Sequence, residues 1–163
     1  MAHEGLHAIF QEMGFPAKRT WLGGAVAYSV ARTYNVFVRE LERIYARFGL
    51  SATSFNVLML LKHGTDPSSH SQRVVGSRLV VSASDMTGLI DRLERKGLVQ
   101  RTPGKDRRSH LLRITSKGAK LLDEVWPHHE AAIARWTRHL NEREAGHLVE
   151  TLGRIRRRVV EPA

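Results

Sequence analysis

Residues 71–114 read SQRVVGSRLVVSASDMTGLIDRLERKGLVQRTPGKDRRSHLLRI, and the fold is decided there. Two short helical patterns come first, about Ser71 to Leu79 and about Ser84 to Lys96, with Val80-Val81-Ser82 as the turn between them. Val74, Val75 and Leu79 of the first can pack against Leu89, Ile90 and Leu93 of the second. Gly97 closes the second helix. Two strand-like runs follow, Leu98 to Thr102 and Ser109 to Ile114, around Pro103-Gly104-Lys105-Asp106-Arg107-Arg108. Pro-Gly favours a tight turn because proline presets φ and glycine accepts the positive φ that follows. The order helix, turn, helix, hairpin is that of a helix-turn-helix with a wing.

Outward from this core the chain is helical. A stripe at Val26, Val30, Tyr34, Phe37, Leu41, Ile44 and Phe48 predicts a helix over about 21–48, ended by Gly49. Leu22, Ala25, Ser29 and Val36 widen the stripe, so its early part is expected to be buried on more than one side. Ser51 starts a helix with Phe55, Leu58, Met59 and Leu61 on its apolar face, and Gly64 with Asp66-Pro67-Ser68-Ser69 ends it. After the hairpin, Thr115 caps a long helix to about Leu140, which Pro127 is expected to kink. Asn141 opens the last helix with Glu144 three residues on, a capping-box spacing, and Leu148, Leu152, Ile155 and Val159 line one face. Residues 1–20, broken by Gly14 and Pro16 after a short helix over Glu4 to Met13, read as peripheral. The fold class is mainly α with a small β-hairpin wing: residues 51–115 form the winged helix-turn-helix, 21–50 and 116–163 the long flanking helices, all in one structural unit.

Composition narrows function. Twenty-six Lys and Arg against 16 Asp and Glu give a net charge of +10 on 163 residues, a field that draws polyanions. From Ser82 to Lys120 ten cations face four acids, so about a quarter of the chain carries +6. Binding of duplex DNA through such a surface would depend steeply on salt. The second helix of a helix-turn-helix enters the major groove, and here its leading end offers Ser82, Ser84, Asp85, Met86, Thr87 and Gly88, with Arg92 further along. Small polar residues there allow close approach to bases and phosphates. Lys105, Arg107 and Arg108 on the thin tip suit a narrow minor groove. Asp106 would repel phosphate if it faced DNA, so it is expected to hold an arginine in place by ion pairing.

Other classes are disfavoured. Without cysteine there is no disulfide framework, thiolate zinc site or thiol switch. The apolar stretch Trp21 to Val38 holds Arg32 and Asn35, which argues against a membrane span, and MAHEGLHAIFQEMGF lacks the basic flank and apolar run of a leader, so a cytoplasmic protein is expected. No Gly-rich phosphate loop, nucleophile triad or paired apolar carboxylates support an enzyme. Nine histidines include His3 and His7 at i, i+4, yet no spacing assembles a metal site, and none is assigned. Arg154, Arg156, Arg157 and Arg158 read as a solvated helix face. Trp21 and Tyr28, with Arg32, His63 and Arg73, are candidates to line a site for a small aromatic or anionic effector; no cofactor is required.

Leu50-Ser51 through Leu58, Val81-Ser82-Ala83-Ser84-Asp85-Met86-Thr87, Ile90-Asp91-Arg92-Leu93-Glu94-Arg95-Lys96-Gly97-Leu98-Val99, Asp106-Arg107-Arg108 and Leu112-Arg113-Ile114-Thr115-Ser116-Lys117-Gly118 together resemble the bacterial MarR family of winged-helix transcription regulators, from about residue 21 to the end. The resemblance implies a homodimer joined through N- and C-terminal helices, each subunit facing half of a palindromic duplex DNA site. It also implies that Arg107 enters the minor groove, that Asp106 supports the wing, and that small aromatic anions release a repressor from DNA. A urate-responsive branch uses a tryptophan matched by Trp21, but its acid and arginine fall at Asn56 and Leu89, so urate is not expected. The alternative is an architectural DNA binder with no sequence preference and no ligand.

Overall fold

The computed structural model describes residues 8–15, 21–64, 70–79, 82–103 and 110–160. A short helix α1 (residues 8–12) is followed by α2 (Leu22–Ala46), α3 (Ala52–His63), α4 (Gln72–Leu79) and α5 (Ala83–Arg95). Then come β1 (Val99–Pro103), β2 (His110–Ile114), α6 (Ser116–Thr137) and α7 (Glu142–Val160). The chain forms two compact units, Met1–Glu124 and Val125–Ala163, with the boundary inside α6.

Local chemistry sets the element ends of the first unit. Gly49 follows α2 at φ +68, and Gly97 follows α5 at φ +69, a backbone region that only glycine enters cheaply. At each, the next amide folds back on the last turn: Leu50 N donates to Tyr45 O at 3.0 Å, and Leu98 N to Leu93 O at 2.9 Å. Ser51 caps α3 by accepting from Ser54 N at 3.1 Å, while Glu42 on α2 accepts from Ala52 N at 2.8 Å. Thr115 Oγ1 accepts from Gly118 N at 3.0 Å and opens α6. These starts and stops agree with the sequence reading.

The core of this unit draws on elements from α2 to α6. Tyr45 stacks on Phe55 with ring centroids 4.3 Å apart, and burial pushes the Tyr45 hydroxyl well above the usual phenol range. Val57, Leu58, Val75, Leu89, Ile90, Leu93, Leu98, Val99, Leu112 and Leu122 are also buried in this unit. The wing is antiparallel, with Val99 opposite Ile114 and Pro103 opposite His110. Pro103, expected in the turn, therefore ends β1, where the lack of an amide proton costs nothing to the ladder. A further edge was not anticipated: Ser71 bridges Leu111, and Leu112 N donates to His70 O at 2.9 Å. The start of α4 is thus pinned to the wing.

Two expectations change. Residues 8–15 are not merely peripheral, because Ile9 and Phe10 are buried with Ala25 against Tyr28, and Phe10 meets the Tyr28 ring edge-on at 6.3 Å. The early part of α2 is also not buried on several sides. Val26 is 40% exposed, Val30 42% and Tyr34 66%, because the elements of a single chain cover only the later turns.

In the second unit, Asn141 and Glu144 form the reciprocal cap: Glu144 N donates to Asn141 Oδ1, and Asn141 N to Glu144 Oε2, each at 3.0 Å. α6 continues through Pro127 and ends at Thr137, three residues short of Leu140. The α7 face holding Leu148, Ile155 and Val159 is exposed, Val159 at 79%.

Candidate nucleic-acid interface

α5 has two unlike sides. Met86, Leu89, Ile90 and Leu93 are buried, and the i, i+3, i+4, i+7 spacing keeps them on one stripe. Ser84, Asp85, Thr87, Asp91, Arg92 and Arg95 are exposed. Met86 is therefore corrected: at 1% exposure its side chain fills the core and cannot reach a groove. The other candidates on this helix, Ser82, Ser84, Asp85, Thr87 and Arg92, lie at the surface. Gly88 leaves room beside Arg92, whose Nη1 lies 3.5 Å from where a Cβ on residue 88 would stand. That places the guanidinium back along the helix, over the leading turns.

The polar groups at the start of α5 are already bonded to one another. Ser82 Oγ accepts from Asp85 N at 3.2 Å and donates to Asp85 Oδ2 at 2.5 Å. Ser84 Oγ lies 3.1 Å from Ser82 Oγ. Thr87 Oγ1 donates to Ala83 O at 3.0 Å and accepts from Gln72 Nε2 of α4 at 2.8 Å. Gln72 was not singled out from the sequence. It ties the first helix of the motif to the exposed side of the second, and no periodicity announces such a polar bond.

Arg101 on β1 locks the wing to α5. Its Nη1 donates to Glu94 Oε2 at 2.5 Å and its Nη2 to Asp91 Oδ1 at 2.6 Å, while its backbone N donates to Glu94 Oε1 at 3.0 Å. The backbone hydrogen bond from Arg101, with its side-chain bond and charge, holds the Glu94 carboxyl below the usual carboxylate range. Burial works against the Arg101 charge, but the two acids prevail and raise its pKa. The sequence reading counted Arg101 only as part of a positive field. Its pairing was legible in principle, since Asp91 and Glu94 lie one helical turn apart and β1 returns beside them. Two lysines of that field also serve the fold. Lys96 Nζ donates to Gly49 O at 2.6 Å, and Lys117 Nζ to Lys96 O at 2.8 Å, each satisfying a carbonyl at a helix end.

On the outer wing face Gln100 pairs with Arg113, both exposed. Lys105, Asp106, Arg107 and Arg108 lie outside the described residues. So do Val80 and Val81 of the turn.

The effector candidates divide. Tyr28 is engaged by Phe10 and by Phe15, the latter at 5.4 Å, and Arg32 Nε lies 3.5 Å from Glu12 Oε2. The N-terminal segment thus occupies both groups. Trp21, at 62% exposure, stands before α2 with its ring over Gly24, where a Cβ would collide with it. His63 ends α3 and Arg73 lies on α4, both exposed. His70, also missed, is buried, and its Nε2 has no hydrogen-bond partner among the described residues. Among the described residues no group of three or more His, Asp or Glu is arranged to hold a metal ion, and no helix is long and apolar enough to cross a membrane.

A helix-turn-helix locked to a hairpin by an arginine defines a winged-helix unit. Residues 48–109 match the MarR family. The regulator MhqR of Bacillus subtilis (strain 168), an HTH-type transcriptional regulator, is 30% identical over 127 residues, covering 77% of this chain and 86% of MhqR. PecS of Dickeya dadantii (strain 3937), also an HTH-type transcriptional regulator, is 29% identical over 133 residues, 81% of this chain and 80% of PecS. Among solved structures, CouR from Rhodococcus jostii RHA1 bound to p-coumaroyl-CoA superposes with a TM-score of 0.73 at 26% identity, over 84% of this chain and 95% of CouR. The chain belongs to the MarR family.

Proposed function

We propose that this chain is a transcriptional repressor that binds a palindromic duplex DNA site as a homodimer and leaves it when a small aromatic or anionic effector binds. It acts by binding, not catalysis, and in the cytoplasm. The observation that carries the reading is the two-sided α5. A buried stripe fixes the helix, while Ser84, Thr87, Arg92 and Arg95 face outward beside the locked wing. Ser82, Ser84, Asp85, Thr87 and Arg92 would meet the major groove, with Lys105, Arg107 and Arg108 at the minor groove and Asp106 supporting the tip. Residues 51–115 form the DNA-binding part, and 21–50 with 116–163 the dimerisation helices. Exposed apolar side chains on α2 and, separately, on α7 support that division, since such faces are costly to leave in water. Two recognition helices must stand roughly 34–36 Å apart to meet successive major grooves. An effector that binds another spacing better would empty the site. CouR, crystallised with p-coumaroyl-CoA, supports an aromatic effector for a chain of this fold.

The test is selection of duplexes from a random pool, followed by titration against scrambled duplexes of equal length at physiological salt. A strong preference with two chains per site is expected. Arg92→Ala should weaken binding and lower the slope of log K against log salt by about one. Equal affinity for selected and scrambled duplexes would overturn the specific regulator in favour of an architectural binder.

A further inference from the structure

The hydroxyl of Thr87 is spent inside the protein. Its proton goes to Ala83 O at 3.0 Å, and its oxygen takes a proton from Gln72 Nε2 at 2.8 Å. Yet Thr87 is an exposed residue on the outer side of α5. Cβ carries a hydroxyl, a methyl and a hydrogen, and with the hydroxyl proton given to Ala83 O the methyl is the side-chain group available for an apolar contact from outside. The neighbouring donors are spent too. Ser82 gives its proton to Asp85 Oδ2, which leaves Ser84 to donate across the 3.1 Å to Ser82 Oγ. Gly88 follows with no side chain to hold a partner surface away. The leading turn of α5 thus offers a methyl group flanked by acceptors, not a row of hydroxyl donors.

In the major groove, thymine alone among the four bases carries a methyl at C5. We propose that Thr87 reads thymine by methyl-to-methyl contact, and that Gln72, by holding the Thr87 hydroxyl, is the positioning residue for that contact. The inference rests on the reading of α5 as the recognition helix. It assigns Thr87 a role opposite to the one a threonine at this place suggests, in which the hydroxyl would bond a base edge.

The probe is a duplex selected by the wild-type protein from a random pool, with each thymine replaced in turn by deoxyuridine. That change removes only the C5 methyl. One thymine per half-site is expected to show about fourfold weaker binding on replacement, the worth of one buried methyl-sized group. Thr87→Ser keeps the hydroxyl bonds and removes the methyl, so its uracil penalty should vanish. Thr87→Val keeps a methyl and removes the hydroxyl, so the penalty should remain. Gln72→Ala leaves the Thr87 hydroxyl held only by its bond to Ala83 O, so the side chain is less firmly positioned and the penalty should shrink. A selected duplex in which no uracil replacement matters overturns the inference while leaving DNA recognition standing. So does a penalty that survives Thr87→Ser or disappears in Thr87→Val. If no duplex is selected at all, the recognition-helix reading fails first and takes this inference with it.

Discussion

Replacing Arg101 by methionine removes the fork that joins the wing to α5 and keeps much of the aliphatic stem. Two charge-assisted bonds are lost, at 2.5 Å to Glu94 and 2.6 Å to Asp91. Fully desolvated, each would contribute about 1.5–3 kcal/mol. The guanidinium is 20% exposed, but the carboxylates are 51% and 39% exposed, so solvent screens much of that energy. A total of about 1–2 kcal/mol is expected from urea unfolding. A double-mutant cycle with Glu94→Gln should show coupling of roughly 0.5–1 kcal/mol. Binding to a selected duplex should weaken because the wing is no longer held against the recognition helix. The salt slope separates this positioning role from direct phosphate contact. It should stay as in the wild type, whereas loss of a phosphate contact lowers it by about one. Unfolding within about 0.3 kcal/mol of wild type, with no coupling to Glu94, would refute the clamp. A reduced slope would show that Arg101 touches phosphate instead.

Two further outcomes follow from particular atoms. A Cβ on Gly118 would sit on the Leu98 carbonyl and 3.0 Å from Ile114 Cγ1. Gly118→Ala should therefore destabilise by about 2 kcal/mol despite the better helix propensity of alanine, lowering Tm by roughly 4–8 °C. An unchanged melting curve would mean that the strand and α6 part easily there. Glu94 has a folded pKa below its ordinary value of 4.5, so its stabilisation is present above that value and is lost as pH falls through the folded pKa. The stability gap between wild type and Glu94→Gln should hold above the ordinary value of 4.5 and close as pH falls through the lowered folded pKa, and a gap independent of pH would sink the assignment.

The sequence by itself determined the order of the elements and several of their ends. Those signals are local: Gly49 and Gly97 supply the positive φ that ends α2 and α5, and Ser51, Thr115 and Asn141 carry oxygens that reach an amide three residues on. It also determined which side of α5 is apolar, because a 3.6-residue period leaves little choice. Met86 was misjudged since its position near the helix start outweighed its place in that period.

Tertiary structure alone decided the rest. Arg101, Gln72 and His70 take their roles from partners distant in sequence or on another element. The exposure of Val26, Val30 and Tyr34 depends on what else the chain has to cover them, a quantity that a hydrophobic stripe does not contain. The Thr87 hydroxyl finds one partner, Ala83 O, within its own helix, but its second, Gln72, only because α4 packs beside α5. Hydrogen-bond commitments of this kind arise only when two elements are packed, so a list of residue types cannot show them.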